Sequence, residues 1–331
     1  MNILILGAGG AAGINITRAL KRDGFGVCGT DVSATRLKLP AIDEAFVIPP
    51  VTTPHRIEAI QRIVYEHKIE RVYAQADKEV AWLSENREKL PAVALPGLAA
   101  FDYASDKLRL NHRLSSHVDV PESHAYGDDF EIEFDALRYL SDKVWVRARC
   151  GAGSKAALPV KTAAEAKHWV AYWCNNRNLK PSDFMLCEYL PGDEFAHQSV
   201  WKDGTLVASV VRQRLEYVFA EQMPSGQSST PSHAAIVHRG DVNDMAERAI
   251  HRIDARPHGV YGVDMKCNAG GAPCVTEINV GRFYTTSDFY AAAGCNLPAL
   301  LMRGGSDVVG RDPIPAGREW IRSLDREAVL V

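Results

Sequence analysis

The chain has 331 residues, 46% of them apolar and 24% charged, with a formal net charge of −3. That length holds two or three domains with a sizeable core, and that charge gives no reason to expect nucleic acid or an anionic membrane surface as partner. No apolar run approaches the ~18 residues of a membrane span. The opening MNILILGAGG carries no basic leader, and the seven cysteines are scattered without a C-x-x-C pair, so the expected setting is a reducing cytoplasm.

Asn2–Leu6 reads as a short buried strand. It runs into a turn with glycines at 7, 9, 10 and 13, then a helix carrying Ile14, Thr17 and Leu20, then a strand over 26–29 that ends near Asp31. Strand, glycine turn, helix, strand is the opening of a doubly wound α/β domain. One reading is a dinucleotide site, with pyrophosphate at the helix N-terminus and Asp31 on a ribose. The other is close strand-to-helix packing with no ligand. A reductase-type Tyr-x-x-x-Lys pattern occurs twice, at Tyr103…Lys107 and Tyr139…Lys143, which shows how readily it arises by chance. The α/β alternation continues with a strand over 45–48, a helix over 54–67, a strand over 71–75 and a helix over 79–89. Pro91, Pro96 and Gly97 then mark a boundary. Asp77, after the fourth strand, reads as a helix cap rather than a substrate contact.

Ser105-Asp106-Lys107 opens a further helix. A strand over 144–147 ends at Arg147 and leads to a loop with Gly151, Gly153 and Ser154, before a strand over 156–160. Such a loop between antiparallel strands suits either a flap over phosphates or a plain hairpin. Thr162 caps a helix whose inner face is Ala163, Ala166, Val170 and Trp173. Strands over 184–189, 195–201 and 205–212 follow. Arg212 and Arg214 then precede a polar stretch over 216–232, expected to be mobile. A helix over 242–254 leads to GVYGVDMKCNAGGAPCVTEINVGRF, residues 259–283.

This last stretch reads as a β-hairpin. Folded about its centre, it sets Asp264 opposite Glu277. Alternation then puts Asp264, Lys266, Glu277 and Asn279 on one face and Tyr261, Val263, Met265 and Ile278 on the other. Two carboxylates at about 5 Å and an effective dielectric near 20 repel by roughly 3 kcal/mol, so a cation is expected beside them. Two carboxylates and an amide, with no His or Cys, suit Mg²⁺, an ion that commonly also holds phosphates. Arg282 stands close enough in sequence to clamp a phosphoryl oxygen. A solvated polar face on an ordinary hairpin fits the same alternation.

Taken in order, Ser105-Asp106-Lys107, Arg147 with the Gly151–Ser154 loop, Glu188-Tyr-Leu-Pro-Gly-Asp-Glu194 and Asp264…Glu277-Ile-Asn279 resemble the ATP-grasp superfamily, in its carbamoyl-phosphate-synthetase-like branch. The resemblance covers about residues 1–302. It implies an α/β chain with a Rossmann-like pre-ATP-grasp domain (1–96), a small ATP-grasp subdomain with linker helices (97–190) and a C-terminal subdomain with the metal site (191–331). It also implies roles. Lys107 and Arg147 would hold ATP phosphates, with Gly153 and Ser154 closing over them. Glu188, Tyr189 and Leu190 would form the adenine hinge, and Glu194 would bind ribose. Asp264, Glu277 and Asn279 would hold Mg²⁺, with Mn²⁺ the alternative ion. Arg282 would steady the phosphoryl group in flight. Arg212 is a second catalytic candidate from the residues themselves, where Arg212, Arg214 or His233 suits an acidic group of a substrate or is simply solvated. Many relatives have Asn-Pro-Arg where this chain has Asn279-Val-Gly-Arg282, and proline where it has Arg149. The implied activity joins a carboxylate to an amine through an acyl phosphate and releases ADP and phosphate. The partners would be small molecules and, as in many relatives, a second copy of the chain. An NAD(P)-dependent oxidoreductase and a nucleotide-binding protein without chemistry are the alternatives. One half of a carbamoyl-phosphate synthetase is all the chain has room for, with no duplicate unit and no glutaminase segment.

Overall fold

The structure, a computed structural model, describes residues 1–91, 95–151, 156–228 and 230–323. Its described strands form three sheets in chain order. The first holds β1 (Asn2–Leu6), β2 (Gly26–Asp31), β3 (Glu44–Val47) and β4 (Arg71–Ala74). It is parallel throughout, in the order β3-β2-β1-β4. Helices α1 (Ala11–Arg22), α2 (Arg56–Glu66) and α3 (Asp77–Glu85) connect or follow its strands. β1 is apolar because it is central, and Ile3, Leu4, Ile5 and Leu6 are wholly buried.

Two helices, α4 (Leu98–Ser105) and α5 (Lys107–Leu114), lead into the second sheet. That sheet is antiparallel, in the order β5-β8-β6-β7. Its strands are β5 (Ser123–Ala125), β6 (Val144–Ala148), β7 (Leu158–Val160) and β8 (Phe184–Glu188). Helices α6 (Phe130–Leu140) and α7 (Ala163–Arg177) belong to this part of the chain. α7 starts at a capping box. Thr162 accepts from the Glu165 N–H, and the Glu165 carboxylate accepts from the Thr162 N–H.

The third sheet carries β9 (Glu194–Lys202), β10 (Thr205–Tyr217), β11 (Pro231–Ile236), β12 (Gly259–Cys267) and β13 (Pro273–Val280), with the short β14 (Gly310–Arg311) and β15 (Glu319–Ile321). The path is β13-β12-β9-β10-β11-β15, and β14 pairs with β10. Helix α8 (Gly240–Ile253) packs on one face. Its apolar stripe (Val242, Met245, Ala246, Ala249, Ile250 and Ile253) joins Tyr261, Val263 and Met265 of β12 and Ala100, Leu110 and Leu114 of α4 and α5 in one core. Helices α9 (Ser287–Ala292) and α10 (Leu297–Met302) pack against α1, and their core is continuous with that of the first sheet.

Two expectations change, and the segment after α10 adds structure of its own. The stretch over 216–232 is not one long loop: β10 runs on to Tyr217, and β11 begins at Pro231 and pairs back onto it. The tail adds two strands to the third sheet. The residue at the N-cap of α3 is Ala76, and Asp77 makes no capping bond; its carboxylate pairs with Arg282 instead. Gly153 and Ser154 of the expected flap lie outside the described residues.

Candidate active site

β12 and β13 pair in the register read from the sequence, with Asp264 opposite Glu277 and Gly262 opposite Asn279. A bulge follows, because Met265 pairs with Val275 and leaves Thr276 as the extra residue. Thr276 donates its hydroxyl to the Asp264 carbonyl at 3.0 Å. The polar face of the hairpin forms part of the wall of a cavity of about 520 Å³.

All three sheets contribute to that cavity. From the hairpin come Asp264, Lys266, Glu277 and Asn279, followed by Arg282 and Tyr284. From the second sheet and the segment after β8 come Arg147, Glu188, Tyr189 and Leu190, with Trp145, Met185 and Cys187 supplying an apolar wall. Lys107 enters from the first residue of α5, Glu194 from β9, and Arg212 and Arg214 from β10. The first sheet adds Gly7, residues 10–13, Gln75 and Ala76. Every described residue that the sequence assigned to the site therefore lines one space.

The cations beside the two carboxylates are the protein's own. Arg214 donates to Asp264 Oδ1, Tyr284 donates its hydroxyl to the same oxygen at 2.8 Å, and Asn279 Nδ2 donates to Asp264 Oδ2 at 3.0 Å. Burial works against the Arg214 charge, yet the carboxylate of Asp264 holds its pKa above the usual value. The same burial, together with Asp264, raises the Tyr284 phenol well above its ordinary pKa, so it remains a donor. Arg147 Nη2 donates to Glu277 Oε2 at 3.2 Å, and Lys107 Nζ lies 3.8 Å from Glu277 Oε1. Lys107 is 4% exposed and bonds the Gly151 carbonyl at 2.6 Å. Burial lowers its pKa; Glu277 opposes the shift and Arg147 adds to it.

The donor chemistry fits a hard divalent cation. Asp264 and Glu277 offer carboxylate oxygens and Asn279 one amide oxygen, Oδ1, while its Nδ2 is turned to Asp264; among the described residues no cluster of three or more His, Cys, Asp or Glu forms a metal site. Glu277 is the more open of the two carboxylates, since both of its contacts are at 3.2 Å or beyond. Asp264 already meets three donors. Arg282 bridges Asn279 Oδ1 and the Asp77 carboxylate.

Glu194 accepts from Lys266, Tyr217 and Gln227, so the stretch after β10 is tied to the cavity wall. Asp106 caps α5 through the N–H groups of Leu108 and Arg109, and it pairs with Arg149 Nη2 at 2.6 Å. That pair gives a local reason for an arginine at 149. Sequence reasoning missed Tyr284, Gln75 and the apolar trio Trp145, Met185 and Cys187. Their cavity role depends on long-range strand pairing and on how the sheets come together, which no local pattern reports.

The comparison structures give the dinucleotide reading of the glycine turn no support, and two of its glycines have packing roles. A Cβ on Gly9 would lie 2.5 Å from Arg36 Cβ and 2.8 Å from Asp31 Oδ2. A Cβ on Gly13 would lie 2.6 Å from the Ala8 carbonyl oxygen. Those two glycines serve packing.

The ATP-grasp resemblance is matched by family models over two parts of the chain. Residues 180–322 match the family model described as ATP-grasp in the biosynthetic pathway with Ter operon, and residues 3–96 match the PylC-like N-terminal domain. No curated protein matches the sequence. Among solved structures, the L-amino acid ligase from Bacillus licheniformis is similar at 14% identity and a TM-score of 0.67, over 92% of this chain and 73% of that one. N5-carboxyaminoimidazole synthetase from Staphylococcus aureus complexed with ADP is similar at 15% and 0.70, over 94% and 79%. The biotin carboxylase domain of Hydrogenobacter thermophilus 2-oxoglutarate carboxylase, in complex with MgADP, ADP and bicarbonate, is similar at 13% and 0.71, over 96% and 73%. At these identities the likeness is one of fold. No helix among the described residues is long and apolar enough to cross a membrane.

Proposed function

We propose that the protein is an ATP-dependent ligase that activates a carboxylate as an acyl phosphate and joins it to an amine, releasing ADP and phosphate. The observation that carries this reading is the convergence on one cavity of the Glu188–Leu190 segment, the cations Lys107 and Arg147, and the Asp264, Glu277 and Asn279 donors. In this reading Trp145, Met185 and Cys187 form the apolar slot for adenine, with Glu188, Tyr189 and Leu190 at its edge. Glu194 takes the ribose, and Lys107 and Arg147 take phosphate oxygens, with Gly153 and Ser154 closing over them. Glu277 and Asn279, with Asp264, hold Mg²⁺ or Mn²⁺, which when bound neutralises phosphate charge. Arg282, held by Asp77, is placed to steady the phosphoryl group in transfer, and Arg212 to act on the acceptor side. The division of the chain at 1–96, 97–190 and 191–331, a cytoplasmic setting and a homodimer belong to the same proposal.

The ligase and synthetase among the similar structures, and the MgADP and bicarbonate complex, favour this chemistry. The test is ADP release across a panel of carboxylate and amine pairs with Mg²⁺. Glu277→Gln is expected to fold and to lose turnover by on the order of a hundredfold or more, the scale of removing one charge-stabilising group. Turnover near the wild-type rate would remove the metal assignment. No ADP release from any pair would favour a nucleotide-binding protein without chemistry.

A further inference from the structure

Six cations line the cavity, and five of them face a carboxylate. Lys107 and Arg147 face Glu277, Arg214 faces Asp264, Lys266 faces Glu194, and Arg282 faces Asp77. The sixth is Arg212. It is 1% exposed, its Nη1 donates to the Thr286 hydroxyl at 2.9 Å, and its guanidinium carbon lies 4.9 Å from the Tyr284 ring centre. Its Nε has no hydrogen-bond partner, and among the described residues no carboxylate pairs with it. A buried guanidinium without an anion is costly to maintain, which points to an anion that arrives from outside the chain.

A second observation meets it across the same cavity. The N-cap of α1 is Gly10, which makes no side-chain cap, and the first turn holds no acidic residue. The N–H groups of Ala11, Ala12 and Gly13 have no acceptor among the described residues, and all three residues line the cavity. Serine, threonine, aspartate or asparagine would ordinarily stand at such a position. Nothing in the fold requires glycine there. Gly10 has φ −79 and ψ 159, and a Cβ added to it would meet only the Gly7 carbonyl oxygen, at 3.6 Å. Residues that line the same cavity run between the turn and Arg212. Gly7 abuts Ala76, the neighbouring Gln75 bonds the Phe283 backbone, and Tyr284 underlies the guanidinium.

We propose that Arg212 and the first turn of α1 form a seat for an oxyanion, a carboxylate or phosphate carried by one of the two small-molecule substrates away from its reacting group. The assignment rests on the ligase reading for calling the occupant a substrate. The helix supplies N–H donors and the positive end of its dipole, and Arg212 supplies a fixed charge in a water-poor wall. The bare N-cap leaves the space that a capping side chain would take.

The experiment uses the full chain, with a non-hydrolysable ATP analogue and Mg²⁺ at saturation so that the phosphate cations are engaged. Inorganic phosphate and succinate are titrated separately at constant ionic strength and followed by thermal shift. The tighter of the two identifies the anion as phosphate or carboxylate. Gly10→Asp places a carboxylate over the seat at a position where its Cβ is free, and Arg212→Met removes the charge. Each is expected to weaken the anion by about tenfold or more, as loss of a charge-assisted contact should, and for Gly10→Asp the shift from the analogue is retained. Gly10→Asp should also melt no lower than the wild type, because aspartate is a good N-cap. Unchanged anion affinity in Gly10→Asp, or no anion binding to the wild type, overturns the proposal. If the analogue gives no shift but anion binding still responds to Gly10→Asp, the ATP reading falls and the seat stands.

Discussion

At the scale of single residues, position in a strand decides which polar groups are paired and which are isolated. His197 lies on β9 between β10 and β12, wholly buried, with neither ring nitrogen bonded. Burial, with a smaller contribution from Arg311, pushes its pKa down to about 3. The unfolded chain takes up that proton near pH 6.5, the folded chain only near 3, so stability is complete above pH 6.5 and is lost as the pH falls toward 3. The loss approaches about 1.4 kcal/mol per pH unit. Urea unfolding at pH 7 and pH 5 should show His197→Leu with a flatter pH dependence than the wild type, by about 2 kcal/mol between the two conditions. Equal slopes would mean that the imidazole titrates normally. The sequence offers no sign of this, since a histidine amid Phe195-Ala-His-Gln-Ser does not report which face it takes.

At the scale of elements, the hairpin was legible because a two-residue period and a glycine-rich turn are local signals. Register followed from the turn, and the cavity face followed from register. The bulge at Thr276 was not legible. β11, β14 and β15 were also not legible, because Pro-Ser-His at the start of β11 and two- or three-residue strands hold together only through their neighbours. The segment after β13 shows the same limit. Gly281 has φ +75, and a Cβ there would lie 2.9 Å from both Phe101 Cζ and Val80 Cγ1. The extra residue in Asn279-Val-Gly-Arg282 thus makes a left-handed turn packed against α3 and α4. Gly281→Ala is expected to lose more than about 1 kcal/mol, because strain and overpacking add. Its urea midpoint checks this, and a midpoint at the wild-type value would show that the turn relaxes at no cost.

At the scale of the whole molecule, the first sheet and the site are joined through backbone. Gln75 Nε2 donates to the Phe283 carbonyl at 2.7 Å, its Oε1 accepts from the Phe283 N–H at 3.1 Å, and Tyr73 donates its hydroxyl to the Gly281 carbonyl at 3.1 Å. Gln75→Met keeps the volume and strands both Phe283 groups. It should cost roughly 1–3 kcal/mol in unfolding free energy, and an unchanged value would mean that water replaces the amide. The fold class and the charged residues of the cavity were visible in the sequence because each sits in a short motif. The joint was not visible, because it pairs a side chain near residue 75 with main chain two sheets away. The same geometry has a consequence for synthesis. The cavity draws on residues from Gly7 to Thr285. A ribosome that has emitted the glycine turn, Lys107, Arg147 and the Glu188–Leu190 segment has still not made the Asp264–Tyr284 wall of the cavity. The hairpin and the residues just after it are the last wall to emerge, so a chain cut short before them holds every earlier piece of the site and neither Asp264 nor Glu277.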